Sequence, residues 1–235
     1  MTIDDPLLWA GLIKIIGVNI VLSGDNAVVI ALAARSLPRR RQEQAIFWGS
    51  AGAVALRIAL TLFAVALLSL AWLKLLGSAL LLWIGVKLLV PAQGEGEVAA
   101  GDSLWTAFRT ILVADLVMSL DNVIAVAAAA GGSTALMVVG LAISIPIVIF
   151  GATLLVRLME RFPSIIAMGA ALIGFVAGEM AWEDHAIVDL TSRYPEGMKY
   201  AAAAAGAAFV VACGQWLARR AQARTRDLSE SKAVR

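Results

Sequence analysis

Long apolar runs, each ended by a short polar stretch, follow one another along nearly the whole chain. A helix rises about 1.5 Å per residue, so roughly 20 residues cross the ~30 Å hydrocarbon core of a bilayer. Seven runs reach or approach that length: roughly Leu7 to Ala34, Ala45 to Leu70, Trp72 to Val90, Trp105 to Ala130, Thr134 to Met159, Pro163 to Trp182 and Met198 to Leu217. The pattern predicts an all-α membrane protein with seven transmembrane helices in a single domain, residues 7–217, followed by a tail, residues 218–235.

Composition narrows the class further. Hydrophobic residues make up 61% of the 235 and charged residues only 15%, with a mean hydropathy of +0.87. That balance belongs to integral membrane proteins and leaves no room for a soluble catalytic domain. The first run lacks the basic start of a signal peptide and is too long for one, so it is expected to be retained. The one cysteine, Cys213, falls in the last run, where a thiol behaves as a small apolar group and no internal disulfide can form.

Charge then gives sidedness. If the basic stretch Arg35, Arg39, Arg40 and Arg41 is cytoplasmic, alternation places the amino terminus outside and the carboxyl terminus inside. Lys87, Arg109, Arg157, Arg161, Arg219 and Arg220 then fall on the same inner side, and only Lys14, Lys74, Arg193 and Lys199 on the outer one. The net charge of +2 reports membrane orientation and does not point to nucleic acid. The tail is expected to be solvated, in reach of anionic lipid. Trp9, Trp72, Trp105 and Trp182 fall at predicted boundaries, as interfacial anchors do.

Two polar tetrads interrupt the apolar runs: Ser23-Gly24-Asp25-Asn26 and Ser119-Leu120-Asp121-Asn122. Ionisable groups in hydrocarbon cost several kcal/mol, which makes each a functional-site candidate. Laying one motif helix on the other also matches Val21 with Val117, Ala31 with Ala127, and Ala33 and Ala34 with Ala129 and Ala130. Gly49 falls on Gly140, and the third helices share a glycine pattern around Gly77, Gly85, Gly169 and Gly178. The chain therefore reads as three spans (about 7–90), three spans (about 105–182) and a seventh helix (198–217). Three is odd, so the second unit is inverted relative to the first, an arrangement typical of transporters. Each motif Asp lies nine residues before the end of its run, about 13 Å along a helix, so both approach the midplane from opposite directions.

On an unbroken helix Asn19, Ser23 and Asn26 share a face, as do Asp115, Ser119 and Asn122, while the motif Asp residues sit about 120° away. Either protein surrounds these helices on two sides, or the helix unwinds to turn both sets into one cavity. Gly24 favours unwinding in the first copy and Leu120 disfavours it in the second. The converging groups are carboxylates of Asp25, Asp121 and Asp115, amides of Asn19, Asn26 and Asn122, and hydroxyls of Ser23 and Ser119, all oxygen ligands suited to hard divalent cations. Zinc or copper sites would show His or Cys. Arg57, the one basic residue far from both ends of a predicted run, is a candidate counter-charge; three ionised Asp residues beside it leave a charge that one divalent cation or two protons would neutralise. Structural hydrogen bonding across helices is the competing reading for the Asn and Ser residues.

Lesser features complete the survey. Glu179 is expected to be a solvated interfacial acid or a group at the mouth of a pathway, and Glu183, Asp184, His185 and Asp189 a solvated acidic outer loop with, at most, weak cation affinity. Pro146 should bend the fifth helix. Gly94-Glu95-Gly96-Glu97 reads as a flexible linker, and the sequence carries no nucleotide-binding phosphate loop.

The stretches Val21-Leu22-Ser23-Gly24-Asp25-Asn26-Ala27-Val28-Val29-Ile30 and Asp115-Leu116-Val117-Met118-Ser119-Leu120-Asp121-Asn122-Val123 resemble the repeated signature of the TerC family, in particular its YjbE-type branch. The resemblance runs from Leu8 to about Leu217. It implies a seven-span bacterial inner-membrane protein linked to manganese export, within a wider superfamily of cation and amino-acid exporters. It also implies metal-site roles for Asp25, Asn26, Asp121, Asn122 and the position six residues upstream of the motif Asp. That position is Asp115 in the second repeat but Asn19 in the first, where family members often carry an acid, so this site is one charge poorer.

The expectation is a secondary transporter exporting Mn²⁺, in exchange for protons, with Asp25 and Asp121 as central ligands and Asp115 as a third ligand or proton carrier. Mn²⁺ is then cargo, with no tightly bound cofactor. Two alternatives are a membrane partner that supplies metal to secreted enzymes, in contact with the secretion machinery, and an intramembrane aspartyl hydrolase. Expected partners are a divalent ion and membrane lipid, with self-association left open.

Overall fold

A computed structural model describes residues 12–13, 16–17, 24–62, 72–90, 100–129, 134–195 and 197–233. Its elements are helices: α1 (Gly24–Ala34), α2 (Arg39–Leu62), α3 (Leu73–Leu89), α4 (Ala100–Ala129), α5 (Thr134–Arg161), α6 (Ser164–Trp182), the short α7 (Val188–Thr191) and α8 (Gly197–Ala233). No strand occurs among the described residues. The first run is described as a helix over Gly24–Ala34, and the Gly94–Glu97 linker lies outside the described residues.

The helices overrun the apolar segments. Arg39, Arg40 and Arg41, expected in a loop, form the first turn of α2, and the helix of the last run continues through the polar tail as far as Ala233. Apolar content marks where hydrocarbon ends, whereas backbone hydrogen bonding continues wherever side chains favour helix. α5 runs through Pro146 without interruption.

Three helices among the described residues are long and apolar enough to cross a membrane: Met137–Arg161, Ser164–Trp182 and Gly197–Ala223. Their surfaces agree with that reading. On α5, Ile143, Ile147, Phe150, Leu154 and Leu158 recur every three or four residues and are all exposed, a stripe that water would not tolerate and lipid would. The polar residues Asn26, Ser50, Arg57, Asp115, Ser119, Asn122 and Ser144 are buried instead.

Small residues set the closest contacts. A methyl group built on Gly174 would collide with the backbone of Gly206, and one on Gly178 with the backbone of Ala202, so α6 and α8 touch backbone to backbone in antiparallel register. α2 and α4 run parallel: Gly49 faces Ile111, Gly52 faces Phe108 and Leu112, and Arg57 reaches Asp115. α1 packs on α5 and α4, α3 on α6 and α8, and the buried cluster spanning Leu32, Leu81, Ile111, Val156 and Ile173 joins them.

Each end of the bundle is tied differently. At one end, Arg35 donates from Nη2 to the carbonyl of Leu88 (2.9 Å), capping the last turn of α3 beside the arginines that open α2. At the other, the loop expected to be solvated and acidic is only partly so, with His185 and Asp189 exposed but Asp184 engaged. Asp184 is buried and accepts from the backbone N–H groups of Trp72 (3.0 Å), Leu75 (2.9 Å) and Ala186 (2.6 Å). It thereby caps α3 from a distant loop and supports Trp72, whose φ of 72° is unusual for a residue other than glycine. Loss of solvent opposes ionisation of Asp184, but the N–H groups of Ala186, Leu75 and Trp72 outweigh it and hold its carboxyl below the ordinary aspartate range. Lys199 bridges Glu179 (2.7 Å) and Glu183, and Lys74 approaches Glu183 at 3.4 Å, so Glu179 too is paired and not simply solvated.

Two predictions follow from this packing. Gly206→Leu should destabilise the protein by at least about 1–3 kcal/mol through overpacking, while Ala204→Leu, on the exposed face of the same helix, should be nearly neutral, as read by thermal unfolding in detergent. A depressed folded pKa gives stability that is present above the unfolded aspartate value and is lost as pH falls through the folded one. Asp184→Asn should therefore cost about 1–3 kcal/mol at pH 7, with the deficit shrinking once pH drops below about 4.

Candidate functional site

The polar centre forms where α1, α2 and α4 meet. Asp115 and Ser119 are one helical turn apart on α4 and so present their side chains together. Parallel packing with α2, permitted by Gly49 and Gly52, brings Arg57 against them. Arg57 donates from Nη2 to Asp115 Oδ1 (2.8 Å) and from Nε to Ser119 Oγ (3.0 Å), while Ser119 donates its hydroxyl to Asp115 Oδ2 (3.1 Å). All three are buried, at 3%, 4% and 0% exposure, so the ion pair operates at low dielectric, where separation is costly. The planar guanidinium fork serves two acceptors at once, which a lysine could not do in the same geometry.

Asp25, half-buried on α1, lies within Coulombic reach of both Arg57 and Asp115. Its Oδ1 accepts the backbone N–H of Asn26 at 2.8 Å. Asn26 and Asn122, one from each tetrad, are both buried. The fold therefore places Asn26, Arg57, Asp115, Ser119 and Asn122 in the interior of an apolar-coated bundle, with Asp25 half-buried on α1. Asn19, Ser23 and the side chain of Asp121 lie outside the described residues. Among the described residues no three His, Cys, Asp or Glu side chains gather into a metal-sized cluster. Asp25 and Asp115 are the two described carboxylates of the centre.

The second tetrad is part of the uninterrupted α4, so there the helix does not unwind, and its Ser119 and Asn122 are buried. Asp115 is also more committed than a bare ligand, since each of its oxygens has a partner in Arg57 or Ser119.

Sequence reasoning passed over Ser50. It lies two helical turns before Arg57 on the same face of α2, is 1% exposed, and its Oγ has no hydrogen-bond partner among the described residues. A buried hydroxyl left this way costs about 1–3 kcal/mol, which makes Ser50 a further polar group on the face that carries Arg57. The signal available in advance was its spacing from Arg57.

Comparison with known proteins agrees with this architecture. The family model described as "Integral membrane protein TerC family" matches residues 4–222. The membrane protein YjbE of Bacillus subtilis (strain 168) is 45% identical over 173 residues, covering 74% of this chain and 79% of YjbE. YkoY of the same organism is 26% identical over 191 residues (72% of this chain, 59% of YkoY), and the inner membrane protein YgdQ of Escherichia coli (strain K12) is 27% identical over 194 residues (74% and 81%). No solved structure matches the chain. An all-helical bundle with an apolar exterior, a buried polar centre built on the repeated tetrads and a family match along nearly its whole length together establish that this chain belongs to the TerC family of integral membrane proteins.

Proposed function

We propose that this protein is a secondary transporter that exports a divalent metal cation, Mn²⁺ foremost, across the bacterial inner membrane in exchange for protons. The observation that carries the reading is the buried network of Arg57, Asp115 and Ser119, with the half-buried Asp25 within Coulombic reach of it, inside a bundle whose outer faces are apolar. A centre with excess carboxylate and only oxygen donors suits a hard cation, and with Asp121 included its charge beside Arg57 is balanced by one divalent ion or two protons.

The reading also takes the chain as seven spans in a 3+3 inverted repeat with a seventh helix. Helix pairing supports this. Exchanging the first three spans for the second three converts the α2–α4 contact into α5–α1, and α3–α4 into α6–α1, and all four contacts occur. It leaves α1–α4, α2–α5 and α3–α6 unchanged, and these three occur as well. A two-fold relation of this kind lets one site face either side by rocking one repeat against the other.

Arg57 then serves as the site's fixed counter-charge. It lowers the cost of holding Asp115 ionised and competes with metal for that carboxylate.

In proteoliposomes with an internal pH dye, the native protein should move Mn²⁺ saturably with protons moving the opposite way, and Asp25→Asn/Asp121→Asn should insert normally but lose at least about 100-fold of the flux. Folded native protein that moves no cation would overturn the transport reading and favour metal delivery to secreted enzymes. Arg57→Gln leaves Asp115 buried without its strong partner and should cost about 3–5 kcal/mol in unfolding stability, whereas Arg57→Gln/Asp115→Asn should recover most of that loss.

A further inference from the structure

Arg39, Arg40 and Arg41 occupy the first turn of α2, which contains no acid. Three guanidinium groups at the positive end of a helix dipole concentrate positive charge at this turn, which suits it to an anion. Sidedness alone explains why basic residues are on this side of the membrane. It does not explain two adjoining cavities that continue along one face of α2.

The first cavity, about 410 Å³, is lined by Arg40, Arg41 and Gln44 among others. The second, about 260 Å³, also borders Gln44 and is otherwise apolar, with Trp48 on α2 and Trp105 and Phe108 on α4 among its walls. Arg40, Arg41, Gln44 and Trp48 recur at three- and four-residue spacing, so one helix face leads from a cationic pocket to an aromatic groove over about 12 Å. Trp48 and Trp105 are 62% and 57% exposed, and Trp105 stacks on Phe108 at 5.5 Å, so the groove opens outward where the bundle meets lipid.

We propose that this face is a binding site for an anionic phospholipid of the cytoplasmic leaflet, its phosphate held by Arg40 and Arg41 and the start of an acyl chain laid against Trp48, Trp105 and Phe108. The guanidinium fork matches phosphate oxygens, Gln44 offers an amide at the level of the glycerol esters, and the aromatic walls exclude water from the chain. The two cavities fit the two halves of such a molecule in the order the membrane imposes: charge at the surface, hydrocarbon below.

Native mass spectrometry of the full chain in detergent, titrated separately with phosphatidylglycerol, phosphatidylcholine of the same acyl chains and inorganic phosphate, tests this. Phosphatidylglycerol should bind at least about tenfold more tightly than phosphatidylcholine, and inorganic phosphate alone should not be retained. Arg40→Gln/Arg41→Gln should weaken phosphatidylglycerol binding about tenfold, and Trp48→Ala, which keeps the charges, should weaken both lipids. Arg219→Gln/Arg220→Gln, removing equal charge from the same membrane side, should leave binding intact. Equal affinity for the two lipids, retention of free phosphate as tight as that of phosphatidylglycerol, or indifference to Arg40→Gln/Arg41→Gln would each overturn the proposal. So would equal loss in the Arg219→Gln/Arg220→Gln control, or a dimer that covers the groove and is split by Trp48→Ala.

Discussion

The constraint on which this molecule turns is the burial of a guanidinium and a carboxylate in a bundle that faces hydrocarbon. Neither Arg57 nor Asp115 can be left alone there, because an isolated charge in a medium of low dielectric is penalised far more than a paired one. Their contact fixes the register of α2 against α4, and Ser119 ties the same knot by joining both partners. Gly49 and Gly52 let the helices approach closely enough for the contact to form. Packing and charge therefore specify one arrangement jointly, and Asp25 on α1 sits within the field of that arrangement.

The rest of the bundle divides the labour. α3, α6 and α8 are joined by glycine contacts and by the outer clasp of Asp184, Glu183, Lys74 and Lys199, whereas α1, α2 and α4 hold the polar centre. The arginine end of the bundle carries a different chemistry, with arginines continuous with an aromatic groove.

Much of this was legible in the residues. Long apolar runs fixed the class, because hydrocarbon allows only structures that satisfy their own backbone hydrogen bonds. The two Ser-x-Asp-Asn tetrads singled out the polar centre, because ionisable groups are rare in such runs, and Arg57 stood out as the one basic residue far from the ends of a run. Apolar content was a poorer guide to helix ends. α2 begins among arginines and α8 extends through a charged tail, since helix formation depends on backbone bonding and not on hydropathy.

What the tertiary structure decided was who meets whom. Asp184 and Glu179 read as solvated acids in sequence, yet distant N–H groups and Lys199 engage them, a contact across many residues that no local pattern encodes. Ser50 looked ordinary until burial made its hydroxyl conspicuous. The sequence by itself determined that this is a helical membrane protein with paired acidic motifs, because solvent and charge act on every residue through its own chemistry. Only the folded chain decided that Asp115 is shared between Arg57 and Ser119, because partner choice depends on helix register and direction, which emerge when whole helices pack.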